Sequence, residues 1–324
     1  MTPLAPSDVD PSRLVLAGDW HGNKTWALAV LDRAAAVDAR YILQVGDFGI
    51  AADAAGQAYL DALSDRLIRH GQVLWFVDGN HEDFNLLYGL PVDDRGVRPV
   101  RPHITHLPRA YRWTWGGRTW LALGGATSLN RPQLTAGVSW WPQEEITDED
   151  AECAIAGGPV DVMVTHDSPQ GIDVPGTTGG WDLHASQRAA DHRDLLRSVV
   201  DAVGPELSLH GHFHSRYDDI LPAGGGDRQR DTRITGLDCD GGDATAQAIV
   251  LDTATLTYEP LVGAQQLRRV TEAMDTAGVG LYGVDSDNTD PRWRQGFSRG
   301  AGRVAILLSV RDRNGRGRLR RQDS

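Results

Sequence analysis

Five places in this 324-residue chain put chemically active side chains directly behind an apolar run. They carry Asp19 and His21 in GDWHGN, Asp47 in VGDFG, Asn80 and His81 in DGNHED, His166 in VTHDS, and His212 and His214 in HGHFH. In extended backbone, residues i and i+2 project to the same side, so Asp19 and His21 can converge on one point, as can His212 and His214. Carboxylates, imidazoles and one amide, with no thiolate, suit hard or borderline ions such as Mn²⁺, Fe²⁺ or Zn²⁺. Seven candidate ligands are too many for one ion. Two ions sharing a carboxylate account for them, and such pairs, about 3.5–4 Å apart, activate water and clamp a phosphoryl group. Taken singly, Asp19 reads as a helix cap, Asn80 as a turn residue and His166 as a core histidine. Five such coincidences in order separate a site from that background.

The elements that must position these residues follow from periodicity. Strands are expected at 13–18, 41–46 and 73–78, separated by helices at 24–37 and 54–69, a βαβαβ pattern that makes a parallel sheet. Ligands of open α/β sheets bind beyond the carboxyl ends of the strands, so the five blocks should line one crevice. Residues 104–123 read as three short strands with a hairpin at Gly116–Gly117, where the sheet becomes mixed or a second one begins. A Trp-rich polar loop follows (127–146), then a helix at 147–156 opened by Thr147, a strand at 160–166, a Gly-rich loop at 168–184, a helix at 186–203 and a strand at 207–211. Strand-like pieces continue to about residue 260. Trp20, between two candidate ligands, should point away from them into the core. His70 reads as a helix C-terminal residue, and His103, His106, His184 and His192 as surface or structural residues. His210 has no assigned role.

The chain carries a net charge of −12, which conceals an asymmetry. From residue 291 onward there are ten Arg against two Asp, leaving −20 on residues 1–290. The acidic body should repel nucleic acid, whereas the tail has the composition to contact an anionic polymer. Two domains are expected: a catalytic domain over 1–262 and a Gly/Arg-rich extension over 263–324, partly disordered or adding a strand. Within the extension, a short helix at 265–275 and the strand-like run RVAILLSV are expected. The two cysteines, Cys153 and Cys239, are far apart in sequence and form no C-x-x-C pattern, so neither a thiolate zinc site nor a disulfide framework is indicated and both read as ordinary thiols. No apolar stretch is long enough to span a bilayer, and MTPLAPSDVDPS lacks the features of a signal peptide, so a cytoplasmic protein is expected.

The order D-x-H, G-D, G-N-H-E, H, G-H-x-H resembles the calcineurin-like metallophosphoesterase superfamily over residues 14–216. The resemblance implies an α/β (α+β) fold, a four-layer αββα sandwich of two mixed β-sheets flanked by helices. It implies that Asp19, His21 and His214 hold one metal, that Asn80, His166 and His212 hold the other, and that Asp47 bridges them. His81 would act over the substrate phosphate as acid or transition-state stabiliser. The implied cofactors are two divalent ions, Mn²⁺ first, with Fe or Zn as alternatives. The implied reaction is hydrolysis of a small-molecule or nucleotide phosphoester by metal-activated hydroxide.

A phosphodiesterase or nuclease acting on nucleic acid is the alternative within enzymes. A non-catalytic scaffold is the alternative outside them, although scaffold members lose ligands and none is missing here. After Asp47 the chain reads FGI and lacks the acidic and Arg residues of the protein phosphatase motif G-D-x-x-D-R-G. The loop GGATSLNRPQLTAGVSWWPQEE resembles a segment of many bacterial members, which carry Asp where this chain has Asn130. In that loop Arg131 is a candidate for binding a phosphate oxygen, with Trp140 or Trp141 as a pocket wall.

Overall fold

The computed structural model describes residues 3–175, 183–224 and 230–262, together with two short strands beyond them. The chain divides into two units, Met1–Ala264 and Gln265–Ser324. In chain order the first unit contains β1 (Arg13–Ala17), α1 (Lys24–Ala36), β2 (Tyr41–Gln44), α2 (Ala54–His70), β3 (Val73–Phe76), α3 (Phe84–Gly89), β4 (Arg98–Arg101) and β5 (Ile104–His106). It continues with β6 (Arg112–Trp115), β7 (Arg118–Leu123), α4 (Asp148–Ala156), β8 (Val162–Thr165), α5 (Leu183–Val203), β9 (Leu207–His210), β10 (Tyr217–Leu221), β11 (Thr232–Gly236), α6 (Ala244–Gln247), β12 (Ala248–Asp252) and β13 (Tyr258–Pro260). In the second unit, β14 (Ser309–Arg311) pairs antiparallel with β15 (Gly317–Leu319). The expected helix at 265–275 and most of RVAILLSV lie outside the described residues.

Two mixed sheets form the first unit. One has the order β13-β12-β1-β2-β3-β5-β4 and the other β10-β11-β9-β8-β7-β6. In the first, β1, β2, β3 and β5 run parallel, with β12 antiparallel beside β1 and β4 antiparallel beside β5. In the second, β7, β8, β9 and β11 run parallel, flanked by antiparallel β6 and β10. The strands are apolar almost throughout because both faces are covered. Alternation along β1 sends Val15 and Ala17 to the core shared with α1 and α2, and Leu14 and Leu16 to the core between the sheets. Trp75, Trp115 and Trp120 fill that inter-sheet core, and Met163, Leu196 and Val200 belong to a third core under α4 and α5. Three cores between four layers make the αββα sandwich.

Helix ends follow the local chemistry. Asn23 and Asp53 cap α1 and α2, and Thr147 with Asp150 forms a capping box on α4. The second sheet starts at the β6–β7 hairpin, whose Gly116 and Gly117 have φ of 59° and 72°, as a two-residue turn of this hand requires. The strand at 104–106 stays with the first sheet, parallel to β3. Sequence periodicity missed α3 and β4, which are short and carry Pro and charged residues around them.

Candidate metal centre

Each of the five blocks follows the carboxyl end of a parallel strand: β1, β2 and β3 in one sheet, β8 and β9 in the other. The loops meet across the two sheets. His166 Nε2 lies 3.3 Å from Asp47 Oδ1, and His21 Nε2 lies 3.3 Å from Asp47 Oδ2, so the two oxygens of one carboxylate face two different imidazoles. His214 Nε2 is 3.3 Å from Asp19 Oδ2. Asn80 Oδ1 is 3.2 Å from His166 Nε2, and the His212 ring centre is 5.2 Å from that of His166. Asp19, Asp47, Asn80 and His166 are buried, His21 and His212 half-buried, and His214 exposed.

The backbone is bent to achieve this. His21, Asp47, His212 and His214 all have positive φ, between 45° and 66°, a region that costs a non-glycine residue energy and is found where surrounding structure enforces it. Two motif glycines are explained by close approach. A Cβ on Gly79 would sit 2.1 Å from the Asp47 amide nitrogen and Oδ1, and one on Gly211 would sit 2.0 Å from Asp19 Oδ1. The glycine of one block therefore makes room for the carboxylate of another.

Further partners, several of them outside the five blocks, orient these residues, and sequence reading assigned the partners no role. Asp240 accepts from His21 Nδ1 at 2.7 Å and from Asn23 Nδ2 at 2.7 Å, while its own N–H reaches the Asp19 carbonyl. His166 Nδ1 donates to the Val45 carbonyl at 2.9 Å, which turns Nε2 towards Asp47 and Asn80. Buried Glu82 accepts from the amides of Phe48, Gly49 and Ile50 at 2.7–3.0 Å, tying the loop after β2 to that after β3. Asn80 Nδ2 donates to Ser128 Oγ at 3.1 Å, and Ser128 Oγ donates to Glu144 Oε2 at 2.8 Å. Glu144 also accepts from Ser128 N–H at 3.1 Å and Trp140 Nε1 at 2.6 Å. This chain of donors sends the Asn80 amide nitrogen away from the centre and its oxygen towards it.

The electrostatics suit a cation. Burial opposes charge on His166 and His21, yet Asp47 outweighs it and raises their pKa values to about 10 and about 9. Asp47 in turn, although fully buried, is held well below the usual carboxylate range by His166 and His21. Hydrogen bonding to Asp19 raises His214 to about 10, whereas burial lowers His212 to about 4. The carboxylates thus draw protons onto the rings, and a divalent cation supplying the same charge would displace them. Ligand atoms lie within 4.8 Å of one another in two groups, Asp19 with His21 and His214, and Asp19 with Asp47 and His166. The oxygen and nitrogen donor set fits hard or borderline divalent ions.

The remaining candidates divide. His81 donates its backbone N–H to Asp47 Oδ1 at 2.8 Å, and its exposed ring stands 5.9 Å from that of His21, on the rim of the centre. The Arg131 guanidinium lies over Trp140, 3.4 Å from the ring centre, with no hydrogen bond or ion pair to the candidate ligands among the described residues. Trp141 is buried against Phe84, and Trp20 is buried beside Phe48. Several other histidines have internal partners: His70 bonds Asp32, His106 bonds Asp78, His192 bonds Asp167, and His210 bonds Tyr217.

An αββα sandwich whose strand ends gather carboxylates and imidazoles from both sheets is the frame of a metal-dependent hydrolase. The chain belongs to the calcineurin-like phosphoesterase family, whose model matches residues 12–216. It is a metallophosphoesterase. Among solved structures it is similar to a dimetal phosphatase from Danio rerio, with 12% identity, a TM-score of 0.47, and coverage of 78% of this chain and 98% of that one. It is also similar to a Thermus thermophilus protein, with 10% identity, a TM-score of 0.44, and coverage of 77% and 99%. Comparison with curated proteins gave no match. Among the described residues, no helix is long and apolar enough to cross a membrane.

Proposed function

We propose that the protein hydrolyses a small-molecule or nucleotide phosphoester with two divalent cations, Mn²⁺ being the first candidate. Asp19, His21 and His214 would hold one ion and Asn80, His166 and His212 the other, with Asp47 between them. The observation that carries this reading is the Asp47 carboxylate, whose two oxygens each stand 3.3 Å from an imidazole of a different ligand set. Held by these residues, such a pair of ions would supply a water of lowered pKa and positive charge for the phosphoryl oxygens. The protein's own groups do the rest. Asp240 holds His21 in one orientation, and the Ser128–Glu144 pair holds the Asn80 oxygen inward. Asp47 accepts the His81 amide and so fixes the base of a side chain whose imidazole can give a proton to the leaving oxygen.

The test is elemental analysis of the purified protein with turnover of 4-nitrophenyl phosphate and bis(4-nitrophenyl) phosphate before and after chelation and Mn²⁺ reloading. Two ions per chain and metal-dependent turnover are expected. Asp47→Asn should bind fewer ions and lose turnover. Chelated protein that works as fast as the loaded form would end the proposal.

A further inference from the structure

Arg109, in the turn between β5 and β6, lies outside the five blocks, and its side chain is only 6% exposed. Its guanidinium works as a hub. Nε and Nη2 donate to Asp78 Oδ2 at 3.0 and 2.7 Å, and His106 Nε2 stands 3.2 Å from the other oxygen of that carboxylate. Towards the Trp-rich loop, Nη2 donates to the carbonyls of Gln143 and Glu144 at 2.7 and 3.3 Å. Nη1 donates to the Glu145 carbonyl at 2.7 Å and to Asp150 Oδ2 at 3.1 Å. One planar fork therefore joins the end of β3, two positions before Asn80, to the backbone that carries Glu144.

Both ends of this strut reach Asn80. Asp78 precedes it on the same strand end, and the Asp78 carbonyl accepts the Gly125 N–H at 2.8 Å. The Glu144 carbonyl accepts the Ala126 N–H at 2.9 Å, while its carboxylate holds Ser128, whose Oγ accepts from Asn80 Nδ2. Residues 124–128 are thus held between the two ends, too closely for side chains at the first two positions. A Cβ on Gly125 would sit 2.7 Å from Arg109 Nη2, and one on Gly124 would sit 2.4 Å from the Asp78 carbonyl oxygen. A buried ion pair is weak as a source of net stability, because desolvating two charges offsets most of their attraction. What Arg109 provides is position: a guanidinium presents five N–H donors in one rigid plane, which neither an apolar residue nor a lysine reproduces.

We infer that Arg109 is a positioning residue for the ion assigned to Asn80, His166 and His212. Through Asp78 and Glu144 it sets where the Asn80 oxygen stands, and so governs uptake of that ion while leaving the ion at Asp19, His21 and His214 almost untouched. The inference rests on the two-ion reading above.

Calorimetric titration of the chelated full-length protein with Mn²⁺ tests it. Arg109→Lys keeps a positive charge opposite Asp78 and loses the fork. One of the two binding steps should weaken by about tenfold or more, the scale of a lost partner behind a metal ligand, and the other should stay within about twofold. Because Arg109 acts through the same amide as Ser128, its loss should be mostly absent on top of Ser128→Ala, so the two single effects should not multiply in the double variant. Should Arg109→Lys fail to fold by circular dichroism, Asp78→Asn, which keeps the shape and removes the charge, is measured in its place and should weaken the same single step with the same non-additivity. Both steps unchanged, both weakened equally, or losses that multiply with Ser128→Ala would make the hub a support of the fold alone and overturn the inference. Wild-type protein that takes up fewer than two ions overturns the two-ion reading, and the inference with it.

Discussion

Glu144 is the sharpest place to test how the centre is supported. It is fully buried and accepts three hydrogen bonds, from Trp140 Nε1, Ser128 N–H and Ser128 Oγ. Removing the carboxylate with Glu144→Ala strands three donors at about 1–3 kcal/mol each, so a loss of roughly 3–6 kcal/mol is expected after partial relaxation. Glu144→Gln keeps an acceptor for Trp140 and Ser128 N–H, and its amide can donate to Ser128 Oγ. The two variants should therefore separate widely.

The carboxyl also carries a pH signature. Burial pushes its pKa up to about 7, against the hydrogen bonds from Ser128 and Trp140 that favour the ionised form. Between the unfolded value near 4.3 and about 7, the folded protein keeps a proton that the unfolded chain has released. Its stability must then fall as pH rises through that window and level off above it. Glu144→Gln has no such proton. The stability of wild type minus that of Glu144→Gln should drop by about 1–3 kcal/mol between pH 5 and 8. Urea unfolding of both proteins in chelator, at four pH values, measures this directly because other groups cancel in the difference. A flat difference would refute the reasoning, since the carboxyl would then titrate alike in both states.

Two further expectations concern other positions. His81→Ala should keep the metal content of the wild type while kcat falls by roughly 10²–10⁴, with a smaller loss for good leaving groups; loss of metal on elemental analysis would make His81 a ligand instead. Gly79→Ala, whose Cβ would sit 2.1 Å from the Asp47 backbone, should lower stability by about 1–3 kcal/mol or more in a thermal melt. Gly89→Ala, with nothing within 4 Å of its Cβ, should stay within about 0.5 kcal/mol, and equal effects at the two glycines would contradict the close-approach argument.

Much of the fold was legible in the sequence because both sheets are covered on both faces. Strands such as RLVLA and YILQ read as short apolar runs, and capped amphipathic helices stand between them. The same burial made the five blocks visible, since a polar cluster directly after a fully apolar run marks the carboxyl end of a strand. Thr147 and Gly116–Gly117 announced a helix start and a hairpin through local chemistry alone. Elements with little burial pattern, such as α3 and β4, left no comparable trace.

What the tertiary structure alone decided is which distant residues serve the blocks. Asp240 lies 219 positions beyond His21 in a stretch that reads as an ordinary acidic turn. Ser128 and Glu144 belong to a polar loop, where hydroxyls and carboxylates usually face water, yet here they are buried on Asn80. Arg131, a candidate phosphate ligand by type, has its guanidinium plane set by stacking on Trp140, a contact that residue type alone does not announce. Periodicity and spacing report how a segment meets the core. They carry no information about a polar side chain whose partner arrives from another sheet, because that contact is set by how the two sheets pack and by which loops the packing forces together.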